Sequence, residues 1–126
     1  HFLKMQMPNT YHDLIQIGIL HDYSMGYASQ VGFRASTCTP FPFFDLHQNE
    51  ITFLTIHPFC LMDTSYHAYL KYTPAAALQN AKQLLQAVKN VEGVFCTLWH
   101  NESMSGYQEW KGWENVYEDL MNSIYE

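Results

Sequence analysis

Residues 73–100 read TPAAALQNAKQLLQAVKNVEGVFCTLWH. This stretch decides the fold, because it contains a capped helix, a stop, an apolar strand and a polar strand end in immediate succession. Thr73 is suited to accept a hydrogen bond at the N-terminus of a helix, and Pro74 fits its first position, where no N–H is needed. Leu78, Ala81, Leu84 or Leu85, Val88 and Val91 then recur at helical spacing, and Gly93 stands where a left-handed stop is wanted. The following run, Val94 to Trp99, is almost wholly apolar, as expected of a parallel strand covered on both faces. His100-Asn101-Glu102 ends it.

Outward from this unit, Pro8-Asn9-Thr10 offers a helix start, with Leu14, Ile15 and Gly18 as stripe and stop. Ile17 to Leu20 then reads as a buried strand ending in His21-Asp22. A loop from Gly26 to Gly32 leads to a brief strand at Phe33-Arg34-Ala35. Thr39 to Phe44 is turn-rich, with two prolines that forbid a regular helix. Ile51 to Ile56 is β-branched and reads as a strand stopped by His57-Pro58. Asp63-Thr64-Ser65 caps a short helix through Leu70. Trp113, Val116, Tyr117, Leu120, Met121 and Ile124 mark a closing amphipathic helix. The order of elements points to α/β architecture over 1–126, with the length of a single domain or of about half of a larger α/β barrel and with parallel strands joined by crossover helices.

Composition narrows the function. The chain has 126 residues, 48% of them apolar and 14% charged, which is ample for a core. Six Lys and Arg against twelve Asp and Glu give a net charge of −6, without a basic cluster, so nucleic acid is not an expected partner. No apolar run reaches the roughly 18 to 20 residues of a membrane span. The cysteines Cys38, Cys60 and Cys96 are widely spaced among apolar neighbours and read as reduced thiols. That pattern favours a reducing compartment such as the cytoplasm. Aromatic residues, 16% of the chain, serve as core filler and are also suited to stack on sugars. No phosphate-binding glycine loop and no serine nucleophile elbow is present.

In parallel α/β folds, sites gather at the C-terminal ends of strands. His21-Asp22 after the first strand, Arg34 near the second, His57 and Asp63 after the third, and His100-Asn101-Glu102 after the fourth occupy such positions. His100 is suited to proton transfer near neutral pH, although a strand-end histidine also serves structural roles. Arg34, set between Phe33 and Ala35, needs a carboxylate partner, either as a structural ion pair or as an active-site clamp. Asp63 reads as a helix cap or as a site acid. The seven histidines show no His-x-x-x-His pair and no cluster of zinc spacing, so no complete metal site is expected.

Four stretches read together carry a resemblance: Asp22-Tyr23-Ser24-Met25-Gly26-Tyr27, Gly32-Phe33-Arg34-Ala35-Ser36-Thr37-Cys38, Met62-Asp63-Thr64 and Leu98-Trp99-His100-Asn101. They resemble the second half of the bacterial polysaccharide deacetylase-like family, over nearly the whole chain. The resemblance implies the C-terminal part of a distorted (β/α) barrel that removes N- or O-acetyl groups from polysaccharides or sugar conjugates. The family's metal, zinc being the favoured ion, is held by one Asp and two His; it activates a water and polarises the acetyl carbonyl. Phe33-Arg34 resembles the arginine motif that holds the catalytic carboxylate. Leu98-Trp99-His100 resembles the late motif whose imidazole is the general acid, and Asp63 resembles the acid that tunes it. Catalytic roles are thus expected for His100, Arg34 and Asp63, converging in one cleft, and substrate contacts for Asp22, Phe41, Trp99 and Asn101.

The sequence also departs from the family. Arg34-Ala35-Ser36-Thr37-Cys38-Thr39-Pro40-Phe41 replaces the usual Arg-x-Pro-aromatic motif. The early Asp-Asp and His-rich metal motifs have no counterpart, apart from His1 as a candidate remnant. The chain by itself is therefore expected to ligate no metal fully and to be inactive, and to self-associate through open sheet edges. The competing reading is a non-catalytic α/β module that binds glycan or a protein partner.

Overall fold

A computed structural model describes residues 3–125; His1 lies outside them. Helix α1 (Asn9–Gln16) is followed by strands β1 (His21–Asp22), β2 (Phe41–Asp45), β3 (Glu50–Ile56) and β4 (Leu61–Met62). A π-helical turn (Ser65–Tyr69), helix α2 (Pro74–Asn90) and strand β5 (Thr97–Leu98) come next. Two 3-10 turns (Glu102–Met104 and Gln108–Trp110) precede the closing helix α3 (Trp113–Asn122). The strands form a three-stranded sheet in the order β1-β3-β2 and a two-stranded sheet of β4 and β5.

The pairs β1–β3 and β4–β5 are parallel, but β2 and β3 form an antiparallel hairpin. The strands are therefore not uniformly parallel, and the described residues do not close a barrel. The hairpin occupies the stretch expected to be only turn-rich. β2 lies at the sheet edge, where Pro42 needs no ladder partner, and its register is broken between Pro42 and Phe44. Asp45 closes the hairpin: its Oδ1 accepts the backbone N–H of His47 at 2.8 Å and of Gln48 at 3.2 Å. Its Oδ2 lies 2.9 Å from Nε2 of His12 on α1.

Other expected elements move or vanish. The strand expected at Ile17 to Leu20 is displaced to His21–Asp22, because Ile17 caps α1 and Gly18 takes the left-handed turn after it. Ile17 and Leu20 are exposed rather than buried. No strand forms at Phe33-Arg34-Ala35, where the Ser36 N–H bonds back to the Phe33 carbonyl in a turn. The last strand shrinks from Val94 to Trp99 to Thr97–Leu98.

The two long helices behave as the pattern dictates. The Thr73 hydroxyl accepts the Ala76 N–H, and α2 buries Ala77, Ala81, Leu85 and Val88. Val91 is 66% exposed, so the stripe ends one turn earlier than expected. The left-handed residue after α2 is Glu92, not Gly93. Gly93 has another reason to be glycine, since a Cβ there would collide with the Cys38 sulfur. On α3, Trp113, Val116 and Leu120 are buried, while Ile124 falls beyond the helix and is exposed. Lys89 near the end of α2 donates to the Ser123 carbonyl beyond α3 at 3.0 Å.

Two buried clusters result. The first joins α2 and α3 to Cys60, Leu61, Tyr66 and Trp110 around the small parallel sheet. The second packs Tyr11 and Met25 on Leu54 and Ile56 of β3. Strand β4 delivers Asp63 from the first cluster, and β5 delivers His100 beside it.

Candidate active site

In the two-stranded sheet, Leu61 lies opposite Thr97 and Met62 opposite Leu98. Continuing both strands by a residue or two brings Asp63 and His100 together at the same, C-terminal, end. Asp63 is fully buried. Its Oδ1 accepts the Thr64 N–H at 2.6 Å and Nδ1 of His100 at 2.7 Å. Its Oδ2 accepts the His100 backbone N–H at 2.6 Å and a short hydrogen bond from the Ser103 hydroxyl. Four donors thus occupy the roughly four lone-pair sites of an ionised carboxylate.

That arrangement fixes the tautomer of His100. A carboxylate only accepts, so Nδ1 must carry a proton, and Nε2 becomes the working nitrogen. The backbone bond and the side-chain bond to the same carboxylate hold the ring in one orientation. The His100 side chain is 45% exposed. A buried anion behind an exposed imidazole can stabilise the imidazolium while Nε2 gives or takes a proton. Asp63 is therefore not the side-chain cap of the following helical turn, although it does accept the Thr64 N–H. Ser103 was not singled out in the sequence; its position three residues after the histidine, on a 3-10 turn, is the signal that identifies it.

Arg34 makes no hydrogen bond or ion pair with Asp63 or His100. Its Nη1 donates to the Gly26 carbonyl at 3.1 Å, and among the described residues no carboxylate lies within ion-pair distance, so the expected carboxylate partner is not found. Its field nevertheless reaches Tyr11. Burial first, then the Asp22 carboxylate, push the Tyr11 phenol above its ordinary range, and Arg34 opposes them. Asp22 itself is buried and accepts the Ser24 hydroxyl at 2.5 Å and the Ser24 N–H at 3.1 Å. Gly26 is needed where it stands, because a Cβ there would run into the Phe59 ring.

The remaining expected contacts divide between core and surface. Phe41 is half-buried in β2 and packs on the second cluster. Trp99 packs on the first, its ring edge-on to Tyr117 at 5.3 Å, with Nε1 donating to the Thr97 hydroxyl. Asn101 is exposed beside His100. A depression of about 350 Å³ lies between α2 and the 33–39 segment, and neither Asp63 nor His100 lines it.

Among the described residues, no group of three or more His, Cys, Asp or Glu side chains is gathered to hold a metal ion. The one-Asp, two-His set of the deacetylase reading does not fit these residues. Cys38, Cys60 and Cys96 are free thiols, and no described helix is long and apolar enough to cross a membrane. No protein-family model, curated protein or solved structure matches the chain.

Proposed function

We propose that this chain is the C-terminal part of a polysaccharide deacetylase-like hydrolase, acting on N- or O-acetylated carbohydrate, and that it supplies the general acid. One observation carries the reading: the buried Asp63 carboxylate grips Nδ1 of a half-exposed His100 side chain, which leaves Nε2 as the nitrogen for proton transfer. Removal of an acetyl group expels an amine or an alkoxide, both poor leaving groups until protonated. As the bond from the acetyl carbon to that nitrogen or oxygen breaks, Nε2–H of His100 passes its proton to the departing atom. Asp63 stabilises the imidazolium before transfer and keeps the ring aimed during it. Exposed Asn101, next in the chain, is the residue this reading assigns to the sugar.

The divalent metal of such a hydrolase, zinc being the favoured ion, has no ligand set among the described residues. Their part of the reaction is proton delivery and orientation. Arg34, held by a backbone carbonyl near Asp22 and Tyr11, serves in this reading as the clamp for a carboxylate supplied from elsewhere.

The test is acetate release from an acetylated glycan, measured in a form of the protein that also carries a metal-binding half. His100→Ala is expected to lower kcat by about 10²- to 10⁴-fold with little change in KM, the usual worth of one positioned proton donor. Turnover near the unmodified rate overturns the reading. Tight glycan binding by a form with no turnover at all supports the non-catalytic module instead.

A further inference from the structure

Away from Asp63 and His100, the outer face of the three-stranded sheet carries a second pair of chemical groups. β1 and β3 run parallel, with His21 opposite Thr55 and Asp22 opposite Ile56. Side chains alternate along a strand. His21 therefore shares a face with Thr55 and, one step further, with His57, while Asp22, Leu54 and Ile56 are buried on the other side. The His57 N–H bonds to the Asp22 carbonyl at 2.8 Å and holds the end of β3 against β1. Nδ1 of His21 and Nε2 of His57 consequently face each other at 3.0 Å. The Tyr23 ring lies flat on the His57 ring, with centroids 4.3 Å apart and planes 14° from parallel.

Two ring nitrogens at this distance have two uses. One can donate its proton to the other, or both can direct lone pairs at a single ion. Transition metals bond imidazole nitrogen at about 2.0–2.1 Å, which sets neighbouring donors roughly 2.9 Å apart at a right angle and roughly 3.4 Å apart in a tetrahedron. The observed 3.0 Å falls inside that interval. The nearest acid in sequence, Asp22, is turned into the core onto Ser24 and Tyr11. A donor set of imidazoles without carboxylate selects zinc, copper or nickel over calcium or magnesium. His21 is exposed and His57 half-buried, so an ion held there keeps its remaining positions for water or another ligand.

We propose that Nδ1 of His21 and Nε2 of His57 form a two-imidazole site for a divalent transition-metal ion, with Tyr23 holding the His57 ring in place. The site belongs to a different sheet from the Asp63–His100 pair and stands or falls independently of the hydrolase reading.

The experiment is a titration of the full chain, labelled with nitrogen-15, with zinc chloride, following the histidine ring nitrogens by long-range proton–nitrogen correlation and the affinity by calorimetry. One ion per chain is expected, with coordination shifts at Nδ1 of His21 and Nε2 of His57. His21→Gln and His57→Gln should each weaken binding by more than about tenfold, since each removes half the donors, while His100→Gln should leave it unchanged. Wild-type affinity in both pair variants, or loss of binding in His100→Gln, overturns the proposal. If a pair variant loses its circular dichroism spectrum, the wild-type nitrogen shifts decide alone: with saturating zinc, unshifted nitrogens in this pair overturn it.

Discussion

With every lone pair of its carboxylate engaged, Asp63 tolerates no replacement that keeps its shape but reverses one of its acceptors. Asp63→Asn would point an amide N–H₂ at a backbone donor, at Ser103 or at the His100 ring. That leaves buried donors unpaired and is expected to cost about 2–4 kcal/mol of folding stability. The shift of the urea midpoint measures it, and a change below about 0.5 kcal/mol would show that the bonds around Asp63 are not holding the strand ends together. His100→Ala should cost less, since the ring bond is lost but the His100 backbone N–H still reaches Oδ2. The pairing of Asp63 with His100 came from the family resemblance; the residues alone left Asp63 as a helix cap or a site acid, because the strand before it, Leu61–Met62, is too short to show itself. The partner of Arg34 was not legible: a backbone carbonyl leaves no mark in residue type, whereas a carboxylate would.

Helix α2 shows what periodicity can and cannot say about an element. Leu85 and Val91 belong to the same apolar stripe, yet one is 5% exposed and the other 66%. Leu85→Ala is expected to destabilise the protein by about 2–4 kcal/mol through the cavity it leaves. Val91→Ala should stay within about 0.5 kcal/mol, as surface changes do. Thermal or urea unfolding of the two variants checks the pair, and equal effects would contradict this packing. α2 and α3 were readable because long amphipathic helices repeat their signal over several turns. β1, β4 and β5 have two residues each, too few for any period to show. β2 was hidden by Pro42, which an edge strand accepts and a central strand would not. Glu92 in the left-handed region took the role that composition assigns to Gly93.

Across the whole molecule, both buried clusters contain weak acids held in their neutral form. Tyr66, which donates to Asn80 at 2.9 Å, is raised above its ordinary range mainly by burial, and Tyr11 by burial and Asp22. Burial, with smaller contributions from the other cysteines, pushes the Cys60 thiol up to about 12. A raised folded-state value favours the protonated form in the native protein, so this stability is complete below the unfolded values and is lost as pH rises past them. With unfolded thiols and phenols titrating at about 8.5 and 10, the melting temperature should fall progressively above about pH 9. Thermal melts from pH 7 to 11 test this, and a flat profile to pH 11 would contradict it. Cys60 should likewise resist alkylation in the native state.

The division of the interior into two clusters has a consequence for how the molecule loses its chemistry. The histidine pair is borne by the strands over Tyr11, Leu54 and Ile56, and the Asp63–His100 pair by the strands packed on α2 and α3. Each depends for its geometry on a different set of apolar neighbours. A local opening that parts β1 from β3 would release His21 from His57 while the Asp63 grip on His100 persists, and partial melting around the helices would do the reverse. Two opening units are therefore expected, read as two distinct levels of native-state hydrogen-exchange protection, one at β1 and β3 and one at β4 and β5; a single common level would contradict this.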